Sequence, residues 1–269
     1  MSRDPEALLR LYDDELRTDA ETPSAQSVLR HGPLRLVTFA RGRGFVTYRD
    51  LGGAGEDRVE QLVADAVEHF EADPEIQRVE WKARGHDVAP GLHEALLRHG
   101  FVEQETEAVM MGDAEVLAEG PPPRPGVVLR QVTEEADVRA MCAQADEAFG
   151  EPVSEEYAEA VLDRLRRDDG MQLWVAEVQG EVVCSGRLEP VADSTIAGIW
   201  GGATTPAWRG QGIYRALVAA RAVAATHLGR TVLHSDSTPM SEPILARSGL
   251  VRVTTTTPYE WRREASSTG

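Results

Sequence analysis

Short apolar or alternating runs, each bounded by turn residues, predict the β-strands in the second half of the chain. The predicted strands are residues 127–132, 174–176, 182–183, 195–204, 231–235 and 251–261. Gln179 and Gly180 separate the second strand from the third, which indicates a hairpin.

Apolar residues at helical spacing predict four helices between these strands. They run from Thr133 to about Phe149, from Ser154 to about Arg167, from about Gln211 to His227 and from Glu242 to Ser248. Hydroxyl side chains cap the first two starts, and Gly229 and Gly249 end the last two helices. The element order is therefore β-α-α-β-β-β-α-β-α-β, which indicates the α/β (α+β) fold class.

The first half of the chain repeats the end of this pattern. The segment ALLRHGFV, residues 95–102, matches ILARSGLV, residues 244–251, in the character of each position. Upstream, LVADAVEHF precedes the strand RVEWK much as LVAARAVAA precedes TVLHS. These ordered matches predict two related folds in tandem, although any helix–strand–helix unit produces some likeness of this kind.

A proline-rich run separates the two halves. The sequence AEGPPPRPG, residues 118–126, cannot continue a helix or a central strand, because proline lacks an N–H group and fixes φ. We therefore predict a semi-rigid linker at 118–126 between domains at 1–117 and 127–269.

The segment ARGRGFVTY, residues 40–48, has the glycine spacing of a phosphate-binding turn. The apolar run LRLVTFA leads into it and FVTY ends it. This context predicts a hairpin in which Gly42 and Gly44 serve the bend.

Composition indicates a globular protein. The 269 residues are 42% hydrophobic and 27% charged. The first residues lack the apolar core of a signal peptide, and no apolar run reaches membrane-spanning length, so we expect a cytoplasmic protein without a membrane partner. Cys142 and Cys184 stand far apart, which predicts neither a disulfide framework nor a zinc site and leaves both as small core residues.

The formal net charge of −17 argues against a nucleic-acid partner, because phosphate neutralisation needs clustered basic residues. The exception is residues 205–252, where six arginines face two acidic residues and leave a net charge of +4. An anionic ligand would explain this cluster.

The stretch TTPAWRGQGIYRAL, residues 204–217, lies at the centre of that cluster and places Arg209, Gly210 and Gly212 before a predicted helix. Free N–H groups at a helix start attract phosphate. Glycines let a ligand approach bare backbone, and the arginine adds a permanent charge. The stretch predicts a phosphate site, with a glycine-rich turn before an ordinary helix as the alternative.

With this motif in its strand-and-helix context, residues 127–261 resemble the GNAT (Gcn5-related N-acetyltransferase) superfamily. The family's motifs fall on Arg209, Gly212 and Tyr214 (R/Q-x-x-G-x-G/A), on 204–206 (V-x-P) and on Gly249 and Leu250 (closing G-F). Tyr214 departs from the usual Gly or Ala. The resemblance implies two GNAT-like domains, each a mixed, splayed β-sheet flanked by helices.

The resemblance also implies acetyl-CoA as the acyl donor. Its pantetheine arm would pair with the strand formed by Gly202, Ala203 and Thr204. Its pyrophosphate would lie on the amides of residues 211–214 (Gln211, Gly212, Ile213 and Tyr214), and Arg209 and Gly210 just before them would also bind the cofactor. The 3′-phosphate would meet Arg215 or Arg247.

The sequence departs from the family at the proton-transfer positions. The usual tyrosine acid, four residues before the closing glycine, is Leu245 here, and the glycine-rich strand has no acidic residue. His234 and Asp236, on the strand that should flank the thioester, are the candidate catalytic residues. A structural histidine and a turn-forming aspartate are the alternatives. Glu189 and Tyr259 are further candidates.

The first half lacks the phosphate motif. Alignment of the helices places Ala54 opposite Arg209 and Asp57 opposite Gly212. Glu56 and Asp57 would complement the helix dipole and repel a pyrophosphate, so we expect no cofactor in this half.

We therefore expect an N-acyltransferase that moves an acetyl group from acetyl-CoA to a small-molecule or protein amine by direct attack in a ternary complex. The alternative is a non-catalytic acyl-CoA-binding or interaction module, because the usual acid and base are missing. A nucleotide binder is disfavoured since GxxxxGK[ST] is absent. No metal is expected, because His93 and His99 lie on different helix faces. The sequence does not fix the oligomeric state, and a homodimer is one of the alternatives.

Overall fold

The computed structural model describes residues 3–263; residues 1, 2 and 264–269, which the predicted domains include, lie outside the described residues. The chain divides into two compact units. The N-terminal unit comprises Leu9–Ala108 and the described residues from Thr254 onward. The C-terminal unit comprises Val109–Val253 and the described residues up to Leu8.

The N-terminal unit is a mixed sheet with two main helices. Its elements are α1 (Pro5–Leu11, shared with the other unit), a π-helical turn (Tyr12–Leu16), a 3-10 turn (Asp19–Glu21), β1 (Ser27–His31), β2 (Leu34–Phe39), β3 (Arg43–Thr47), α2 (Glu56–Glu71), β4 (Arg78–Arg84), α3 (Leu92–Arg98), β5 (Val102–Glu103) and the second part of β12 (Val251–Arg262). The strand order is β1-β2-β3-β4-β12, and β5 pairs with β12. Strands β3 and β4 are parallel, and the other neighbours in this order are antiparallel.

The C-terminal unit has the same kind of sheet. Its elements are β6 (Glu107–Asp113), α4 (Ala114–Ala118), β7 (Val127–Val132), α5 (Glu135–Phe149), α6 (Glu155–Leu165), β8 (Gln172–Val178), β9 (Glu181–Pro190), β10 (Ile196–Thr204), a 3-10 turn (Pro206–Trp208), α7 (Ile213–His227), β11 (Val232–Ser237), α8 (Glu242–Ser248) and the first part of β12. The strand order is β6-β11-β10-β9-β8-β7. Strands β10 and β11 are parallel, whereas β7 to β10 form antiparallel pairs.

The predicted repeat is visible in both units. In each, antiparallel strands lead into a parallel pair joined by a long helix, and a short helix follows. Both short helices end at a left-handed glycine, Gly100 (φ 82°) and Gly249 (φ 112°). The next residue is buried in both cases and returns its N–H to the helix, Phe101 to Leu96 and Leu250 to Leu245. The predicted fold class and tandem arrangement are confirmed.

One of the two predicted helix caps is present, and two of the four predicted helix starts differ. The Ser154 hydroxyl accepts the Tyr157 N–H at 3.1 Å, as predicted. Helix α5 instead begins after Glu134, so Thr133 does not cap it. Helix α7 begins at Ile213 rather than Gln211, because Gly212 has a left-handed φ of 78° that ends the preceding turn.

The predicted hairpin forms between β2 and β3, with Phe39 opposite Arg43. Arg41 and Gly42 supply the positive φ angles of the turn. The role predicted for Gly44 is wrong: it lies within β3, and a Cβ there would begin 2.7 Å from the ring of Phe70. Gly44 therefore permits close helix packing rather than the bend.

The unit borders differ from the predicted domain borders. The proline-rich segment lies inside the C-terminal unit, where a Cβ at Gly120 would begin 2.8 Å from the Cβ of Ala219 on α7. At the other end, β12 pairs with β4 from Thr256 to Arg262 and so belongs to the N-terminal unit. Strand pairing between distant segments sets these borders.

Candidate functional site

Two parallel strands of the C-terminal unit separate partway along their length. Strands β10 and β11 pair from Ile196 to Gly198 on one side and from Val232 to His234 on the other. Beyond that point β10 continues to Thr204 without pairing with β11. The backbone of this part of β10 therefore has one edge open to a ligand.

Strand β10 carries a β-bulge where the edge is open. Trp200 lies opposite Arg187 and Ala203 lies opposite Ser185, so Gly201 and Gly202 together face one residue of β9. Both glycines are exposed. Gly201 has a φ of 59°, a conformation that favours glycine.

Helix α7 begins beside the end of β10, at the predicted phosphate site. Its first helical bond runs from the Ala216 N–H to the Gly212 carbonyl, and the N–H groups of residues 210–215 have no acceptor in the described part of the chain. Gly210 and Gly212 have φ angles of 72° and 78°, and a Cβ at either would meet nothing within 4 Å. Unpaired N–H groups facing open space fit a phosphate.

Arg209 lies at this site with its side chain turned to the backbone. Its Nε donates to the Thr204 carbonyl at 3.0 Å, and its Nη2 donates to the Ala148 carbonyl at 2.7 Å. The guanidinium thus joins the end of β10 to the last turn of α5. Its positive charge would act on a bound phosphate from this hydrogen-bonded position.

The remaining charges of the arginine cluster divide into two sets. Arg221 is buried, Arg230 donates to the Ser194 carbonyl and Arg252 pairs with Glu242. Arg215 and Arg247 have no ion-pair partner among residues 3–263. These two are the cations left for an anionic ligand.

One basic residue at the site was missed by the sequence analysis. Arg124 follows the three prolines, and its guanidinium hydrogen-bonds to the Gln211 side chain. The Gln211 amide group also donates to the Ala207 carbonyl at 3.1 Å. Because Arg124 was assigned to a linker, no local signal placed it beside the glycine-rich turn.

The ring of Tyr214 fills the space beside Gly202. A Cβ at Gly202 would begin 2.5 Å from Tyr214 Cε2 and 2.8 Å from its hydroxyl oxygen. The guanidinium of Arg221 lies 6.0 Å from the ring centroid. Burial raises the pKa of the Tyr214 hydroxyl, and the positive charge of Arg221 opposes part of that rise.

The two predicted catalytic residues contact each other. His234 Nε2 lies 3.1 Å from Asp236 Oδ1, and both side chains are buried. Residues two apart on a strand share a face, which explains why His234 and Asp236 meet. The Trp200 ring stands edge-on to His234 with centroids 5.1 Å apart. This pair lies where β10 and β11 separate.

A second polar group lies on the same face of the sheet. Directly opposite residues of antiparallel strands share a face, so Arg187 and Glu189 accompany Trp200 and Gly198. Arg187 Nε donates to Glu189 at 3.0 Å, and Arg187 Nη1 donates to the Tyr157 hydroxyl at 3.3 Å.

This polar group reaches both α6 and the bulge. Arg164, on α6, donates to the other carboxylate oxygen of Glu189 at 3.2 Å. A Cβ at Gly201 would lie 3.5 Å from Arg187 Nη1. The sequence singled out Glu189 but not its arginine partners, which come from separate segments.

The other predicted candidates are placed elsewhere. Tyr259 belongs to the N-terminal unit, where its hydroxyl lies 3.0 Å from His93 Nδ1. Leu245 is fully buried and offers no proton. His99 contacts Glu60, separately from His93. Among the described residues no three His, Cys, Asp or Glu side chains group as metal ligands, and no helix is long and apolar enough to cross a membrane.

Helix α2 of the N-terminal unit starts differently from α7. Its N-cap is Gly55, with an extended φ of −79°, and Glu56 and Asp57 occupy its first turn. Gly55 and Gly212 are the N-caps of the two helices, while the predicted alignment places buried Leu62 and Val63 opposite buried Leu217 and Val218. The acidic first turn is present as predicted.

A model of a known protein family matches part of the C-terminal unit. Residues 138–238 match the model described as Acetyltransferase (GNAT) family. The resemblance of this segment to the GNAT acetyltransferases is thus confirmed. A search of curated protein sequences gave no match.

Solved structures share the fold over nearly the whole chain. A GCN5-related N-acetyltransferase from Kribbella flavida is 16% identical with a TM-score of 0.68 and covers 93% of this chain and 95% of its own. One from Sphaerobacter thermophilus is 19% identical with a TM-score of 0.62, covering 98% and 96%. A tandem GNAT protein from the clavulanic acid biosynthesis pathway is 12% identical with a TM-score of 0.61, covering 99% of both chains. The fold is that of tandem GNAT proteins.

Proposed function

We propose that this protein transfers an acetyl group from acetyl-CoA to a primary amine and that the donor binds in the C-terminal unit. The observation that carries the proposal is the meeting of two features at the end of β10. Within residues 3–263 the N–H groups at the start of α7 have no acceptor and face open space, and β10 does not pair with β11 beyond Gly198. The first feature fits the pyrophosphate and the second fits the amide-bearing pantetheine arm.

The acceptor would approach from the face that carries His234 and Arg187. An amine must lose a proton during acyl transfer, and a histidine held by a carboxylate is a suitable acceptor for it. Asp236 would orient His234 for this role. We further propose that the N-terminal unit binds no cofactor, because Glu56 and Asp57 make the start of α2 acidic.

Thermal unfolding with acetyl-CoA, ATP or NAD tests the donor, and thiol release over a panel of polyamines, amino acids, amino sugars and lysine peptides tests the transfer. We expect stabilisation by acetyl-CoA alone and thiol release with one class of amine. Stabilisation without release would favour the acyl-CoA-binding module, and no stabilisation would contradict both functions. Our proposal includes a small-molecule or protein amine as the acceptor and a cytoplasmic location.

A further inference from the structure

The indole of Trp200 covers the backbone of β10 at the point where β10 and β11 separate. Trp200 and Gly198 are two residues apart on one strand and therefore share a face. A Cβ at Gly198 would overlap the indole nitrogen of Trp200, so the lack of a side chain there makes room for the ring. Gly198 is also the last residue of β10 that pairs with β11, opposite His234. The indole thus lies where the open edge of β10 begins.

The same ring contacts the residue proposed to accept the proton of the amine. The rings of Trp200 and His234 stand edge-on, with centroids 5.1 Å apart and an interplanar angle of 81°. His234 is buried, whereas Trp200 is half-buried and keeps part of its ring accessible. An amine nitrogen that reaches His234 therefore brings its own carbon skeleton against the indole.

The charged side chains beside the ring already pair with one another. Arg187 lies directly opposite Trp200 on β9 and donates to Glu189 at 3.0 Å. Arg164 donates to Glu189 at 3.2 Å and to Asp169 at 2.6 Å. Two guanidinium groups thus balance two carboxylates, and the group carries no net charge. It offers little electrostatic gain to a second ammonium group or to a carboxylate of the acceptor.

Within residues 3–263 no cation lies over the Trp200 ring. The arginines that stack on aromatic rings there lie over Tyr48, Phe39, Tyr214 and Trp261. The accessible part of the indole therefore offers a ligand an apolar aromatic surface. Such a surface also favours the neutral amine that attacks the thioester, because desolvation lowers the pKa of an ammonium group.

From these observations we infer that Trp200 determines acceptor specificity by contacting the carbon skeleton of the amine, and that the preferred acceptor is a primary amine on an apolar, flat body. The inference rests on the proposed function and names its acceptor class. Polyamines and amino sugars lack such a body, so both should be poor acceptors.

Thiol release from acetyl-CoA tests the acceptor class with four amines. The matched pair is 2-phenylethylamine and ethanolamine, which have similar basicity, and spermidine and glucosamine represent the charged and the sugar classes. We expect a kcat/KM for 2-phenylethylamine at least about tenfold above that for the other three, since burying a phenyl ring against an indole is worth at least that much.

Substitutions of Trp200 test its role. Trp200→Ala should reduce the preference for 2-phenylethylamine over ethanolamine about tenfold, mainly through KM, whereas Trp200→Phe keeps a ring and should retain most of it. A second measurement needs no turnover: 2-phenylethylamine should bind the CoA complex of Trp200→Ala about tenfold more weakly than that of the wild type in calorimetry.

Trp174→Leu is the matched control, because it removes an indole from the opposite face of the same sheet. Trp174 lies opposite Gly186, where a Cβ would overlap the Arg221 guanidinium of α7. This variant should keep the wild-type preference, and calorimetry with acetyl-CoA shows whether each variant is folded and binds the donor.

Two outcomes would overturn the inference and leave the proposed function intact. They are a preference of the wild type for ethanolamine, spermidine or glucosamine, and an unchanged preference in folded Trp200→Ala. Failure of the wild type to bind acetyl-CoA, or to release thiol with any amine of this set and of the wider panel above, would overturn both.

Discussion

The large side chain of Tyr214 packs against Gly202, which has no side chain, beside the proposed cofactor site. The ring on α7 lies where a β10 side chain would otherwise begin, 2.5 Å from the position of a Gly202 Cβ. This explains why a position that is small in the resembling family can hold a tyrosine here.

The packing of Tyr214 against Gly202 predicts a compensating pair of substitutions. Gly202→Val forces the ring of Tyr214 aside and should lower the free energy of unfolding by about 1–3 kcal/mol. Adding Tyr214→Ala to Gly202→Val makes room for the new side chain and should recover most of that loss. Urea unfolding of the two variants checks this, and a double variant no more stable than the single one would refute the pairing.

Tyr214 should matter little for donor affinity. The N–H groups that would hold the pyrophosphate belong to the backbone and remain when the side chain is removed. We expect Tyr214→Ala to bind acetyl-CoA within about tenfold of the wild type, a change of at most ~1.4 kcal/mol. Calorimetric titration measures it, and a much larger loss would mean that the ring itself carries the binding.

At the scale of elements, local signals predicted most helices and strands of the C-terminal unit. Residues 127–132 form β7 as predicted, and α8 ends at Gly249 because a left-handed glycine stops it. The bulge in β10 and the meeting of Arg187 with Tyr157 depend on pairing between separate segments. No pattern within one segment records such contacts, so that part of the site could not be predicted.

Helix α6 carries Tyr157 and Arg164 to the proposed acceptor face, and its start depends on one hydroxyl. Ser154→Ala leaves the Tyr157 N–H without its cap and should lower the free energy of unfolding by about 1 kcal/mol. Thr133→Ala is the matched control, because Thr133 caps no helix, and it should change stability by under about 0.5 kcal/mol. Equal effects in denaturant unfolding would contradict the assigned caps.

At the scale of the whole molecule, sequence order and compact units do not coincide. The segment from Thr254 to Arg262 completes the sheet of the N-terminal unit by pairing with β4. The sequence therefore predicts the number and the fold of the compact units correctly. The borders of these units depend on pairing between distant strands, which the sequence does not show.

This arrangement predicts the effect of a C-terminal deletion. Ending the chain at Val253 removes the strand next to β4, so amide protection in β4 and α2 should fall in hydrogen exchange. Strand β8, in the C-terminal unit, should keep its protection. Retained protection of β4 in the shortened chain would show that the strand pairing contributes little.

The central claim is that acetyl-CoA binds once per chain, at the start of α7. Calorimetry of the wild type, Gly212→Asp and Gly55→Asp tests it most directly, since Gly212 and Gly55 are the N-caps of corresponding helices. We predict one site per chain, no binding in Gly212→Asp and unchanged binding in Gly55→Asp, with thermal unfolding confirming that both variants are folded. Two sites per chain, or full binding by folded Gly212→Asp, would contradict the account.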